Sequence, residues 1–177
     1  MKESIIVNNL YQTVMSDPDG APYLPQFLMR DALLSELLGN DKGDISYWAG
    51  KALARRFPVG SPKDAQVFFK QAGFGDLTLL KQTADMTQWQ LSGEPVKLHK
   101  ELDTAADFTL EAGFLAEMMA QQLGVLTEAE PIETPRKLRS NTVTFAVYTD
   151  PENLIPDFDA PMPLTIVNHH ATEKATD

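Results

Sequence analysis

The chain has 177 residues, a formal net charge of −10 and no cysteine. Its length is typical of one domain that can bury a sufficient core without a metal or a disulfide. The acidic balance argues against nucleic acid and anionic membranes as partners, and the lack of cysteine excludes disulfides, thiolate catalysis and cysteine-ligated metals.

Helices are predicted first along the chain. Residues 1–22 form a leader that ends in turn-forming residues, and a leucine-rich amphipathic helix follows over residues 23–39. A second helix is predicted over residues 43–57, where the next residue is a proline that stops it, and a third over residues 61–73, which open with serine and proline. The face of the second helix that we expect to be buried comprises Ile45, Trp48, Ala49, Ala52, Leu53 and Phe57, with Lys51 and Arg55 away from it.

Strand patterns follow over residues 77–81 and 87–91, and residues 96–102 suggest a third strand or a ragged edge. A strong helix is predicted over residues 106–123, and two more strands over residues 125–132 and 141–149. The order ααα-ββ(β)-α-ββ predicts an α+β fold, in which an antiparallel sheet of about four to five strands packs against a layer of helices.

We expect a single α+β domain over residues 23–150, followed by a proline-rich, partly flexible tail over residues 151–177. No apolar run reaches the length of a signal peptide or the ~20 residues of a membrane span. The sequence therefore predicts a cytoplasmic protein that does not insert into a membrane.

Glu111 is the most informative charge, because the predicted helix places it on or beside an apolar stripe. A carboxylate there must find partners or take up a proton. It either forms a polar anchor at the bottom of a pocket or is satisfied structurally by an arginine, a tyrosine or water. Structural roles are the more common for buried titratable groups, and Tyr47, Arg55 and Arg56 are the partners considered.

The three histidines do not indicate a metal or haem site. His99 is expected to point to solvent, on the face opposite Val96 and Leu98, and His169 and His170 lie in the tail. Metal sites need several ligands and supporting hydrogen bonds, which are not visible around any of the three. The sequence also lacks a G-x-S-x-G elbow, a P-loop and a dinucleotide-binding motif. We therefore predict no catalytic residue, no metal and no cofactor.

Small residues are joined to aromatics in residues 47–58, 68–75 and 110–117. Gly50 and Gly113 stand in mid-helix, where glycine costs about 1 kcal/mol relative to alanine, so we expect another element to approach the backbone closely at both. The aromatic side chains then either fill a core, which is the more common outcome, or line an apolar cavity between the helices and the sheet. The candidate pocket residues are Trp48, Phe69, Glu111, Phe114 and Met118.

These segments resemble the YslB-like family, uncharacterised proteins of low-GC Gram-positive bacteria. The resemblance extends over residues 24–150 and includes the strand at residues 143–147. It implies the fold shared by 4-vinyl reductase domains, haem-based nitric-oxide sensors and TRAPP subunits, whose members are often dimeric and in several cases hold an apolar ligand. This chain has no cysteine for acylation or zinc binding and no histidine that matches a haem ligand, so the resemblance implies the fold and no specific ligand.

Three hypotheses for function follow. The first is a non-catalytic homodimeric binding module, with the dimer formed through the helices of residues 24–57 and a small hydrophobic ligand in the apolar pocket. The alternative is a protein–protein interaction or scaffold protein with a filled core and no small-molecule ligand. An enzyme is the hypothesis with the least support, since no nucleophile, metal set or cofactor loop is visible.

Overall fold

The computed structural model describes residues 10–102, 107–132 and 141–167. Helices α1 and α2 span residues 10–16 and 24–38, and the short helical turns Ala21–Tyr23 and Gly39–Asp41 flank α2. The remaining helices are α3 (Lys42–Arg56), α4 (Pro62–Gln71), α5 (Glu94–Leu102) and α6 (Thr109–Leu123), and the strands are β1 (Asp76–Gln82), β2 (Met86–Ser92), β3 (Val125–Ile132) and β4 (Thr142–Leu154). Within the described residues, no helix combines the length and the apolar character that crossing a membrane requires.

The predicted α+β fold is confirmed. The strands form one antiparallel sheet in the order β1-β2-β4-β3. Its central pair places Trp89 of β2 opposite Phe145 of β4 and Leu91 opposite Val143, with all four side chains buried. These side chains form a core with α6, which is buried on nearly every side over residues 111–120.

The third strand predicted after β2 is wrong, because residues 94–102 form helix α5. The buried residues of α5 are Pro95, Val96, Leu98 and His99, and the spacing of three and four between them is the helical period. The strand prediction followed Val96, Leu98 and Leu102, which share the parity of one strand face. Pro95 lies in the first turn of the helix, where its missing N–H group costs nothing.

Helices α3 and α6 cross with their backbones in contact, as the mid-helix glycines predict. A Cβ atom on Gly50 would overlap the carbonyl oxygen of Leu110, and one on Gly113 would overlap the carbonyl oxygen of Tyr47. Any side chain at either glycine would therefore force the two helices apart.

The buried face predicted for α3 is wrong. The buried residues of α3 are Ser46, Gly50, Lys51 and Ala54, whereas Ile45, Trp48 and Phe57 are exposed. Trp48 lies two residues before Gly50, which is about 200° around a helix with 3.6 residues per turn, so the glycine contact turns the tryptophan outward.

The described segments that precede and follow residues 23–150 both pack against them. Leu10 and Val14 of α1 are buried with Phe27 of α2 and Leu98 of α5 in a second, smaller apolar cluster. At the other end, β4 continues to Leu154, and residues 155–167 run over the surface without helix or strand.

Candidate functional site

Glu111 lies at the centre of a buried charged cluster between α2, α5 and α6. It is 1% exposed, and the Arg30 guanidinium of α2 binds it with two parallel hydrogen bonds of 2.5 and 3.0 Å. Arg30 donates a further hydrogen bond of 3.0 Å to the backbone carbonyl of Asp107. Burial opposes the charge of Arg30, but the Glu111 carboxylate, with Asp31 and Asp107, raises the pKa of Arg30. The pair is therefore a bidentate ion pair, the geometry in which arginine binds a carboxylate most strongly.

The neighbour of Arg30 enters the same cluster. Asp31 Oδ1 lies 3.2 Å from Nδ1 of His99 and 3.4 Å from Nζ of Lys42. Burial opposes the charge of Asp31, but its contacts with His99, and then the charges of Arg30 and Lys42, lower the pKa of Asp31. We name the group of Arg30, Asp31, His99, Asp107 and Glu111 the Arg30 cluster.

A local distortion of α2 explains how two consecutive residues reach the same cluster. Residues Leu28–Leu33 form a π-helical turn between two α-helical stretches. Consecutive side chains of an α-helix diverge by about 100°, and the wider π turn brings their directions closer together. Short π-helical turns are often found at functional sites, which makes Arg30 and Asp31 of interest beyond their role in packing.

The Arg30 cluster is closed to a substrate in this conformation. The ring of His99 is 3% exposed, stacks on Phe27 and meets Phe108 edge-on, with ring centroids 6.2 and 5.0 Å away. Its Nε2 atom lies 2.9 Å from the carbonyl oxygen of Asp107, and its Nδ1 atom faces Asp31. A general base needs a nitrogen that can reach the substrate, and both nitrogens of His99 face protein oxygens. The cluster therefore acts as a clamp that fixes α2 on α5 and α6.

Two predictions about these side chains are wrong. His99 is buried, because it belongs to a helix and the strand parity that placed it in solvent does not apply. Glu111 is satisfied by an arginine, as one of the two expectations for it stated, but that arginine is Arg30; of Tyr47, Arg55 and Arg56, the partners considered, Tyr47 and Arg55 donate to Glu128 and Glu117 respectively. The sequence analysis did not identify Arg30 as the partner of Glu111. The one feature that could have indicated it is that Arg30 is the single basic residue in the predicted helix 23–39. The predicted histidine pair at 169–170 lies outside the described residues.

The candidate pocket residues fall into three places. Phe69, Phe114 and Met118 are fully buried in the core, where the rings of Phe69 and Phe114 lie 5.4 Å apart, edge to face. Glu111 faces the Arg30 cluster. Trp48 is 61% exposed on α3, so the structure does not bring it together with the other four.

A second polar group surrounds Tyr47 at the edge of the sheet. The Tyr47 hydroxyl donates to Glu128 and accepts a hydrogen bond of 3.2 Å from the backbone N–H of Ala129 in edge strand β3. Lys51 also binds Glu128, at 2.9 Å, and its ammonium lies 5.3 Å from the centre of the Trp48 ring. Burial and the hydrogen bond to Glu128 raise the pKa of Tyr47. A tyrosine held neutral in this way binds the edge strand through its hydroxyl group. Because its pKa is raised, it does not readily release its proton to another molecule.

Comparison with known proteins identifies the family. A family model described as "Protein of unknown function (DUF2507)" matches residues 23–148. The chain belongs to this family. It is also 36% identical over 123 residues to the uncharacterized protein YslB of Bacillus subtilis (strain 168), a match that covers 70% of this chain and 81% of that protein. The family resemblance inferred from the sequence motifs is thereby confirmed.

Two solved structures have a similar chain path. One is a vinyl-4-reductase family protein from Methanocaldococcus jannaschii, with a TM-score of 0.49 and 17% identity over 83% of this chain and 93% of that chain. The other is a trafficking protein particle complex subunit 3 from Naegleria fowleri covalently bound to palmitic acid, with a TM-score of 0.41 and 12% identity over 86% of this chain and 94% of that chain.

Proposed function

We propose that this protein is a non-catalytic, cytoplasmic interaction module that forms a homodimer through α2. The observation that supports the proposal is that α2 binds the body of the protein through two charged residues and leaves aligned apolar side chains in solvent. Toward the body of the protein it presents Arg30 and Asp31, beside the buried Phe27 and the partly buried Leu24 and Ala32.

The outward side of α2 carries Met29, Leu33 and Leu37, which are 57%, 43% and 68% exposed. Their spacing of four residues aligns them along one side of the helix, and we name them the α2 stripe. Single exposed leucines are ordinary, but an aligned apolar set opposite a charged inner face is typical of a helix that is covered by a partner. A second copy is the partner we propose, because a short apolar stripe can pair with its own copy about a two-fold axis.

Sedimentation velocity over a range of protein concentrations tests the dimer. We expect the wild type to sediment as a dimer and a Leu33→Glu variant as a monomer, because the substitution places a charge in the apolar contact. Leu126→Glu is the matched control, since Leu126 is a half-exposed leucine on β3, far in sequence from α2. A wild type that stays monomeric, or a control that dissociates as readily as Leu33→Glu, would refute the proposal.

The binding of a small hydrophobic molecule beside Phe69, Phe114 and Met118 is the second candidate function. A ladder of rings supports it, because Phe57 at the surface lies 6.2 Å from Phe68, which in turn lies 5.1 Å from the buried Phe114. Native mass spectrometry of the purified protein tests this candidate. A co-purified hydrophobic mass that Phe114→Leu removes would support it, and an unliganded mass in every preparation would count against it.

A further inference from the structure

Residues 155–167, which we name the strap, are held to the domain by three hydrogen bonds that use the backbone of the strap, and the ring of Phe158 packs on Gly124. At its start, the N–H of Ile155 donates a hydrogen bond of 2.9 Å to the carbonyl oxygen of Gly124. Further on, the N–H of Leu164 donates to the carbonyl oxygen of Pro58 at 2.7 Å. Near the end, the side-chain amide of Gln71 donates to the carbonyl oxygen of Val167 at 2.7 Å. Hydrogen bonds to the main chain of an extended segment are the usual way in which a groove binds a peptide.

The loop between α3 and α4 is shaped to receive a proline of the strap. A Cβ atom on Gly60 would lie 2.8–2.9 Å from the ring of Pro163, closer than a normal contact. The φ angle of Gly60 is not in the left-handed region, so glycine is required here for space and not for backbone conformation. Gly60 therefore forms a seat that fits a proline ring only while the position lacks a side chain.

The strap itself has the composition of a peptide ligand. It contains Pro156, Pro161 and Pro163 and forms no helix or strand, so its extended backbone loses little entropy on docking. Its apolar side chains are unevenly buried, since Met162 is 88% and Val167 is 62% exposed, whereas Phe158 is 38% and Leu164 is 39% exposed. A segment held by a few hydrogen bonds and two half-buried side chains can be displaced by a competing peptide.

The strap also leaves part of its groove unfilled. A cavity of about 190 Å³ lies between the strap and the helices, lined by Pro58, Val59, Gly60, Gln121, Gln122 and Pro161 among others. Gln121 lines this cavity, and its amide oxygen is buried without a hydrogen-bond partner among the described residues, whereas the amide of Gln122 donates to the carbonyl oxygen of Val59 at 2.7 Å. A buried acceptor without a donor is costly, and a peptide that supplies an N–H group there would bind more tightly than the strap.

We propose that this groove is a recognition site for an extended Pro-X-Pro-hydrophobic segment of another protein, and that the strap occupies it in cis through its own sequence Pro161-Met162-Pro163-Leu164. The groove residues lie within residues 23–148, which the family model matches, and the strap lies beyond that range. The strap is then a tethered competitor that keeps the groove closed until a partner displaces it. This site does not depend on the dimer proposed for α2.

Fluorescence anisotropy with a labelled synthetic peptide of residues 159–167 tests the proposal on the full-length chain. Leu164→Pro removes the N–H group that binds Pro58, so the strap should leave the groove and the peptide should bind at least tenfold more tightly than it binds the wild type. A tethered segment competes at an effective concentration in the millimolar range, which sets the size of this effect. Thr165→Pro is the matched control, because it adds a proline next to the same position and keeps the N–H of Leu164.

The double variant Leu164→Pro/Gly60→Ala decides whether the peptide occupies the groove. Its added methyl group fills the proline seat, so we expect the gain in affinity to be lost, whereas Leu164→Pro/Gly43→Ala should keep it because a Cβ at Gly43 meets nothing within 4 Å. Equal peptide affinity for the wild type and Leu164→Pro, or a gain that survives Gly60→Ala, would overturn the proposal. Melting temperatures of all variants establish that each is folded.

Discussion

Replacing Arg30 by methionine should destabilise the protein far more than replacing Arg30 and Glu111 together by apolar residues. The Glu111 side chain is 1% exposed and the Arg30 side chain 12%, so removing the arginine leaves a buried carboxylate without its bidentate partner. Breaking a buried ion pair from one side typically costs about 3–5 kcal/mol, because the remaining charge has lost both water and partner. In the double variant Arg30→Met/Glu111→Leu no such charge remains, and we expect a loss of about 1 kcal/mol, the size of the forfeited hydrogen bond from Arg30 to the carbonyl of Asp107.

Urea unfolding at pH 7 measures these differences, because urea does not screen charges. Arg55→Met is the matched control: Arg55 binds Glu117 at 2.8 Å, but its side chain is 51% exposed, and pairs of this kind contribute less than about 1 kcal/mol. The reasoning is refuted if Arg30→Met costs no more than Arg55→Met. It is also refuted if the double variant loses the sum of the two single losses, since additivity would mean that the two charges do not interact.

Three further predictions concern pH, close packing and the strand edge. The pKa of Asp31 is lower in the folded state than in the unfolded state, so the ionised Asp31 contributes its full stabilisation above the unfolded pKa of about 3.9 and loses it as the pH falls through the folded pKa. Asp31→Asn should therefore lower the melting temperature at pH 7. The melting temperature of this variant should also decline less steeply than that of the wild type between about pH 4 and pH 2. Gly113→Ala should cost about 1–3 kcal/mol or more in urea unfolding, because its methyl group overlaps the backbone of α3, whereas Gly43→Ala should be neutral or stabilising; equal effects would contradict the helix contact. Alkaline titrations of tyrosine absorbance in the wild type and in Tyr47→Phe differ by the contribution of Tyr47. We expect this difference curve to show that Tyr47 ionises above the ordinary tyrosine range, and a curve centred near pH 10 would contradict the burial of Tyr47.

Some of this structure could be predicted from the sequence because the signal is local. Mid-helix glycines carry a cost that close packing offsets, and both Gly50 and Gly113 lie at the crossing of α3 and α6. The buried positions of Phe69 and Phe114 follow from helical period in the same way. The exposure of Trp48 also follows from these facts once the glycine is taken as the contact point, but hydrophobicity alone placed the tryptophan in the core.

The Arg30 cluster could not be predicted, because its members are far apart in sequence and only the tertiary fold brings them together. Arg30 and Glu111 are separated by 81 positions, and nothing in a leucine-rich helix indicates that its one arginine points inward. The π-helical turn that contains Arg30 and Asp31 has no sequence signature of its own. The error at α5 was of another kind, since a few apolar residues of one parity fit a strand and a helix equally well until Pro95 and His99 are added to the pattern.

The charged residues on the inner side of α2 explain why the α2 stripe remains outside. An apolar contact is non-directional, so a helix that docked through hydrophobic residues alone could rotate and bury Leu33 or Leu37 against the body. The bidentate pair of Arg30 with Glu111 has a fixed geometry, and rotation would leave both buried charges unpaired. We infer that the Arg30 cluster contributes orientation more than net stability. It holds the α2 stripe toward solvent, where a second copy can reach it.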